Sequence, residues 1–111
     1  MNNISQSNAI RDLNDTFRHT LTGGMLMLTS GIIALGADAQ SRIIAAVQAF
    51  DAFTPDNDPY GEHDFGNLEV DGEKIFFKFD YFDLTHAMHS EDAADPSRTE
   101  RVLTIMLASE Y

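Results

Sequence analysis

The chain has no cysteine and no tryptophan, and only three prolines in 111 residues. Without cysteine there can be no disulfide, thiolate zinc site, iron–sulfur cluster or cysteine nucleophile. No apolar run approaches the ~20 residues that cross a bilayer, so no membrane partner is expected. Met1-Asn2-Asn3-Ile4-Ser5 offers neither the basic patch nor the apolar stretch of a secretion signal. The expected compartment is the cytoplasm.

Positive charge is scarce as well. Seven Lys+Arg stand against 18 Asp+Glu, a net charge of −11. Such a chain repels nucleic-acid backbones and anionic lipid and attracts basic surfaces or cations. Direct nucleic-acid binding is therefore not expected. The excess is also segregated. Residues 1–50 balance Asp12, Asp15 and Asp38 against Arg11, Arg18 and Arg42, and residues 96–111 balance Glu100 and Glu110 against Arg98 and Arg101. Residues 51–95 hold 13 acids against Lys74 and Lys78 alone. Such a run reads either as a solvated face or as a binding surface.

The length suits one domain over residues 1–111, and 43% hydrophobic content with eight Phe suits a packed core. Residues 1–6 read as a polar, frayed start. Ile10, Leu13 and Phe17 then form one helical stripe, with Arg11, Asp12, Asp15 and Arg18 outside it and Ser5 or Ser7 as cap. Gly23-Gly24 punctuates before Met25–Thr29, a run of strand length, and Ile32–Gly36 reads as an apolar connection. Asp38 is placed to cap a helix over 39–53 that Pro55 stops. Asp71-Gly72 between Leu68–Val70 and Ile75–Phe79 is a hairpin signature. A two-residue loop pairs positions summing to 143, which sets Glu69 opposite Lys74, Leu68 opposite Ile75 and Gly66 opposite Phe77. One face then carries Leu68, Val70, Ile75, Phe77, Phe79 and Tyr81. The other carries His63, Phe65, Asn67, Glu69, Lys74, Phe76, Lys78 and Asp80. Arg101–Leu107 is ambiguous: Ser97–Glu100 resembles a helix capping box, while β-branching favours a strand. The expected class is α+β, two helices on one face of a four-stranded, mostly antiparallel sheet in the order α-β-α-β-β-β.

Several strings resemble a known family. They are Asn57-Asp58-Pro59-Tyr60-Gly61-Glu62-His63-Asp64-Phe65-Gly66 and Arg101–Ala108, with Leu13–Phe17, Thr22–Gly24, Leu28–Gly31, Ala49–Phe53 and the closing Glu110-Tyr111. In these the chain resembles a family of small alphaproteobacterial proteins known only as a domain of unknown function. The resemblance implies a single cytoplasmic domain, common on plasmids and other mobile elements beside anti-restriction genes. It brings no activity and no site residue.

Candidate chemistry lies in the acidic middle. Asp56, Asp58, Glu62, His63, Asp64 and Asp80 offer oxygen and imidazole ligands for a divalent cation, and with it a small metal-dependent hydrolase or nuclease. Asp56, Asp58 and Gly61 fit positions one, three and six of a calcium loop. Tyr60 and Asn67 at positions five and twelve reject it. The alternative is a structural loop of Asx turns. In the hairpin register His63 falls opposite Asp80, either as a cross-strand pair or as an oriented general base. His86 and His89 would share a ligand only on a helix. Phe65 and Phe76 form either an exposed apolar patch or one covered by a helix or the last strand. Nothing matches a phosphate loop or a nucleophile elbow.

The reading favoured on these grounds is a non-enzymatic acidic binding protein without a cofactor, a monomer or small homo-oligomer. It would display Asp51, Asp56, Asp58, Glu62, Asp64, Glu69, Asp71, Glu73, Glu91, Asp92 and Asp95, with Phe65 and Phe76. Its partner would be the basic cleft of a nucleic-acid-binding protein such as a host defence complex, blocked by DNA mimicry in the manner of an anti-CRISPR or anti-restriction inhibitor.

Overall fold

A computed structural model describes residues 3–111. Helix α1 spans Asn3–Thr20, strand β1 Met25–Leu28, the single-turn helix α2 Ser30–Ile33 and helix α3 Ala37–Ala49. Strands β2 (Phe65–Val70), β3 (Glu73–Phe82) and β4 (Glu100–Leu107) follow, and a 3₁₀ turn, Ala108–Glu110, closes the chain. The fold is α+β. The sheet order is β1-β4-β3-β2, with β1 parallel to β4 and the other pairs antiparallel.

Alternation decides the layers. Ile75, Phe77, Phe79, Leu103 and Ile105 point to one face, where Phe17 of α1, Ile32 of α2, and Ile43 and Val47 of α3 bury them. The hairpin takes the expected register from Phe65↔Lys78 to Val70↔Glu73. Asp71 and Gly72 both adopt positive φ, 55° and 82°, as a two-residue hairpin turn requires. Gly66 leaves room for the Phe77 ring beside it, which a Cβ would strike. Arg101–Leu107 is a strand, as its β-branching indicates.

Four expectations need correction. Helix α1 already includes Asn3–Gln6, so that segment is not frayed from Asn3 on, and Ser5 and Ser7 lie inside the helix rather than cap it; Met1 and Asn2 fall outside the described residues. Its inward face is Ile10, Asn14, Phe17 and Arg18, with Leu13 only half-buried, so Arg18 is not outside the stripe. Part of the expected connection at Ile32 is the α2 turn. Helix α3 begins at Ala37, with Asp38 in its first turn and Gly36 at the cap position, and ends at Ala49 rather than Phe53. The cause of the early stop is remote in sequence. Arg18 Nη1 donates to the carbonyls of Val47 (2.9 Å), Gln48 (3.3 Å) and Phe50 (2.6 Å), so a buried cation caps the negative end of α3. Phe50 turns extended there, and its ring and that of Phe53 pack edge-on against Phe77.

Candidate functional site

The loop from Phe50 to Asp64 is fixed to α1 by hydrogen bonds with Asn14, Asp15 and Arg18, and to itself by stacking. Asp58 is buried; its Oδ1 accepts from the backbone N–H of Glu62 (3.1 Å) and of His63 (3.2 Å). His63 sits at φ 55°, which ends the strand alternation one residue before Asp64 and turns its ring toward α1. There Nδ1 lies 2.9 Å from Asp15 Oδ1, Nε2 lies 3.7 Å from Asp58 Oδ2, and the ring stacks on Phe53 with centroids 3.9 Å apart. Asp15 also pairs with Arg18 at 3.1 Å. The expected His63–Asp80 pair is therefore absent. Asp80 stands in register with Val102 and pairs with Lys78 at 2.8 Å.

A second loop, residues 83–99, joins β3 to β4 at the same end of the sheet. One buried residue fastens both. Asn14, fully buried, donates through Nδ2 to the Glu62 carbonyl (3.0 Å) and to Tyr81 Oη (2.8 Å). Its Oδ1 accepts from Arg101 Nε (2.7 Å), and Arg101 Nη2 donates to the Ala93 carbonyl. Arg101 is 2% exposed and lies over the Tyr81 ring. Burial lowers its guanidinium and lifts the Tyr81 phenol far above its ordinary range, so Tyr81 stays a neutral partner here. Within the second loop carboxylates close turns. Asp83 accepts from Thr85, Asp92 from Ala94 and Asp95 from Ser97. The Thr85 and Ser97 hydroxyls hold the Asp83 and Asp95 carboxyls below the usual range.

The acidic residues thus fall into two poles rather than one stripe. Asp51, Asp56, Glu62, Asp64, Asp83, Glu91, Asp92 and Asp95 belong to the two loops. Glu69, Asp71 and Glu73 belong to the hairpin tip, a strand length of about 30 Å away at ~3.3 Å per residue. Asp58, expected on the surface, is internal. Six of the seven Lys and Arg side chains are either buried or paired with a carboxylate. Arg18 and Arg101 are inside; Arg11 meets Asp12, Arg42 meets Asp71, Lys78 meets Asp80, and Arg98 meets Glu91. Lys74 faces Glu69 across the hairpin. Among the described residues no Lys or Arg pairs with Asp51, Asp56, Glu62, Asp64, Asp92 or Asp95. Glu62 and Asp64 line one cavity of 460 Å³ with Gln6, Ser7, Ile10 and Tyr60. Burial, then the neighbouring carboxylates Asp64 and Asp58, push the Glu62 carboxyl up, and burial does the same to Asp64.

The six residues considered as metal ligands are brought together only in part, Glu62 and Asp64 lining one cavity with the Asp58 carboxylate close by. Asp58 serves the backbone, His63 turns to Asp15, Asp80 pairs with Lys78 and Asp56 is exposed in its turn. Among the described residues no group of three or more His, Asp or Glu is arranged to hold a metal ion. His86 and His89 are not helical: one lies 3.6 Å from Glu100, and the other stacks on Phe82.

Phe65 and Phe76 stand on the sheet face turned away from the helices, so they form no part of the acidic loops. Their rings are 5.2 Å apart, and Tyr111 packs on both. The C-terminal residue, rather than a helix or the last strand, is what meets them. Glu110 ties that end down, accepting from Thr29 Oγ1 (2.6 Å), the Leu107 N–H (2.9 Å) and the Gly31 N–H (3.0 Å).

Sequence reasoning missed Asn14, Asp15, Arg18 and Arg101. A signal for two of them exists in the i, i+4, i+7, i+8 spacing of Ile10, Asn14, Phe17 and Arg18, which is a better buried face than the stripe through Leu13. Among the described residues no helix is long and apolar enough to cross a membrane.

No curated protein and no solved structure matches the chain. The family model described as protein of unknown function (DUF3768) matches residues 28–110, which include both acidic loops and all of β2, β3 and β4, and the chain belongs to that family.

Proposed function

We propose that the protein is a non-enzymatic acidic binding protein that occupies a basic cleft of the kind that otherwise holds a nucleic-acid backbone. One observation carries this reading: six of the seven Lys and Arg side chains are buried or paired with a carboxylate, while the loop carboxylates Asp51, Asp56, Glu62, Asp64, Asp92 and Asp95 have no such cation. Held at one end of the sheet by Asn14 and Arg101, these carboxylates are presented by a folded scaffold rather than by a disordered tail. Pre-ordered charge binds with less entropic cost and steers association. Mobile-element membership, which the family resemblance implies, makes a host defence nuclease complex in the cytoplasm the partner of this reading.

The test is competition. Purified restriction and CRISPR effector complexes are loaded with a fluorescent duplex, and the protein is titrated in at several salt concentrations. The expected result is displacement of the duplex at roughly 50 mM salt, weakening steeply as salt rises. The combined variant Asp51→Asn, Asp56→Asn, Glu62→Gln and Asp64→Asn should lose most of it. Failure to displace duplex from any such complex at low salt, or displacement indifferent to the variant, overturns the reading.

A further inference from the structure

Among the described residues, His63 is the one histidine whose two ring nitrogens both face carboxylates. Nδ1 lies 2.9 Å from Asp15 Oδ1 and 3.1 Å from its Oδ2, and Nε2 lies 3.7 Å from Asp58 Oδ2. A neutral imidazole carries a single N–H, and its other nitrogen presents a lone pair. A lone pair on Nδ1 would repel the Asp15 carboxylate at so short a distance, so the proton of the neutral ring belongs there. Nε2 then turns its lone pair on Asp58. Only the imidazolium offers an N–H to each side.

Asp58 sharpens the contrast. Its side chain is 4% exposed, and its other partners are the neutral backbone N–H groups of Glu62 and His63. Among the described residues no Lys or Arg pairs with it, so the His63 ring is the cation within its reach. A buried carboxylate without a counter-charge is costly. The wider surroundings also suit a charged ring. The charged or titratable groups about it are Asp15, Arg18 and His19 of α1 and Asp51, Asp58 and Asp64 of the loop, with Glu62 preceding it in the chain. Arg18 is the one arginine or lysine among them, and it is already engaged by Asp15 and by the carbonyls that end α3. Gln48 of α3 and Phe53, on which the ring stacks, are uncharged.

The backbone does not favour this placement by itself. His63 is at φ 55°, a region that a residue with a Cβ keeps only where its surroundings impose it. Here they are the Asp15 carboxylate on the ring and the Asp58 carboxylate on the His63 N–H. The ring also has room to leave, and a proton can reach it. It is 26% exposed and lines a cavity of 420 Å³ between α1, the end of α3 and the loop.

We infer that His63 is a protonation-dependent latch. Its imidazolium bridges Asp15 of α1 to the buried Asp58 and holds residues 54–64, which carry Glu62 and Asp64, against α1; the neutral ring releases them. The latch is closed in mild acid and opens as pH rises through the histidine range, about pH 5 to 8. It makes the order of this loop a function of pH whatever the loop binds, so it stands or falls separately from the duplex competition above.

Native-state hydrogen exchange of the full chain at about pH 5.5 and about pH 8.5, corrected for intrinsic rates, tests it. The bonded amides of Asp58, Gly61, Glu62 and His63 should lose protection about tenfold or more at the higher pH, while the β3–β4 ladder keeps its own. His63→Gln, which takes up no proton, should give the same loop protection at both pH values. So should Asp58→Asn, whose amide can donate to the neutral ring. His19→Gln, on the same cavity, should leave the pH effect as it is. Burial makes Glu62 and Asp64 favour protonation as well, so the double variant Glu62→Gln, Asp64→Asn is the control for them, and it should retain the effect. Equal loop protection at both pH values in the parent overturns the inference. So does a pH effect that survives His63→Gln or Asp58→Asn, or one that disappears in the double variant.

Discussion

Replacing Asn14 by alanine removes the one side chain that holds both acidic loops. Three hydrogen bonds go: to the Glu62 carbonyl at 3.0 Å, to Tyr81 Oη at 2.8 Å and from Arg101 Nε at 2.7 Å. The first two are neutral and contribute about 1 kcal/mol each, while the third is charge-assisted and contributes about 1.5–3 kcal/mol. Asn14→Ala should therefore cost about 3.5–5 kcal/mol, with the upper end reached if no water enters the vacated space to serve Arg101. Asn8, exposed on the same helix, is the control; Asn8→Ala should stay within about 0.5 kcal/mol. Urea unfolding gives both figures. Native-state hydrogen exchange supplies the more specific readout, since amides of residues 58–64 and 90–95 should lose protection together while the β3–β4 ladder keeps its own. An Asn14→Ala cost close to that of Asn8→Ala would refute the reasoning, as would loss of protection in one loop alone.

Two further substitutions test packing and charge. Gly66→Ala should lower stability by about 1–3 kcal/mol, because its Cβ strikes the Phe77 ring and lies 3.0 Å from that of Phe50. Combining it with Phe77→Leu should recover part of the loss in urea midpoint, and no recovery would place the clash elsewhere. Glu62→Gln and Asp64→Asn should stabilise the protein at pH 7. Burial raises both folded carboxyls above their unfolded values, so the folded state keeps protons that the unfolded state has released, and stability is lost as pH rises through the raised values. The gain of each variant should vanish as the pH falls below the ordinary carboxylate range. Unfolding curves at neutral and acid pH, compared variant against parent, check the sign, and a gain that persisted in acid would contradict it.

The hairpin was legible because its information is local. Asp71-Gly72 demands positive φ twice, alternation on either side sets the core face, and Gly66 opposite Phe77 confirms the register without reference to the rest of the chain. Strand β4 was legible for a similar reason, its β-branched residues outweighing a capping pattern that the fold leaves unused. The errors lie where a remote group intervenes. Extending the hairpin register to His63 fails because the buried Asp58 carboxylate takes the His63 N–H and turns the ring toward Asp15, 48 residues away. The end of α3 was misplaced because its stop signal is Arg18, a residue of another helix, and not Pro55. A pattern read from apolar residues alone cannot register Asn14 or Arg18 as core. Both are polar groups made tolerable inside by partners that only the fold supplies.

Those buried polar groups also explain why the exterior is more acidic than composition implies. Arg18 and Arg101 count toward the net charge of −11, yet neither faces solvent. Arg18 balances the negative end of α3 and Asp15; Arg101 serves Asn14 and the Ala93 carbonyl. Two of seven cations are thus withdrawn to hold the elements that display the carboxylates. Both lysines are confined to the one sheet face that no helix covers. The segregation visible along the chain, thirteen acids in its middle, becomes in three dimensions a division of labour by depth and by face. Arginine inside fastens the acidic loops, the two lysines offset part of the outer sheet's negative charge, and the loop carboxylates left without cations belong to the end of the sheet that Asn14 ties together.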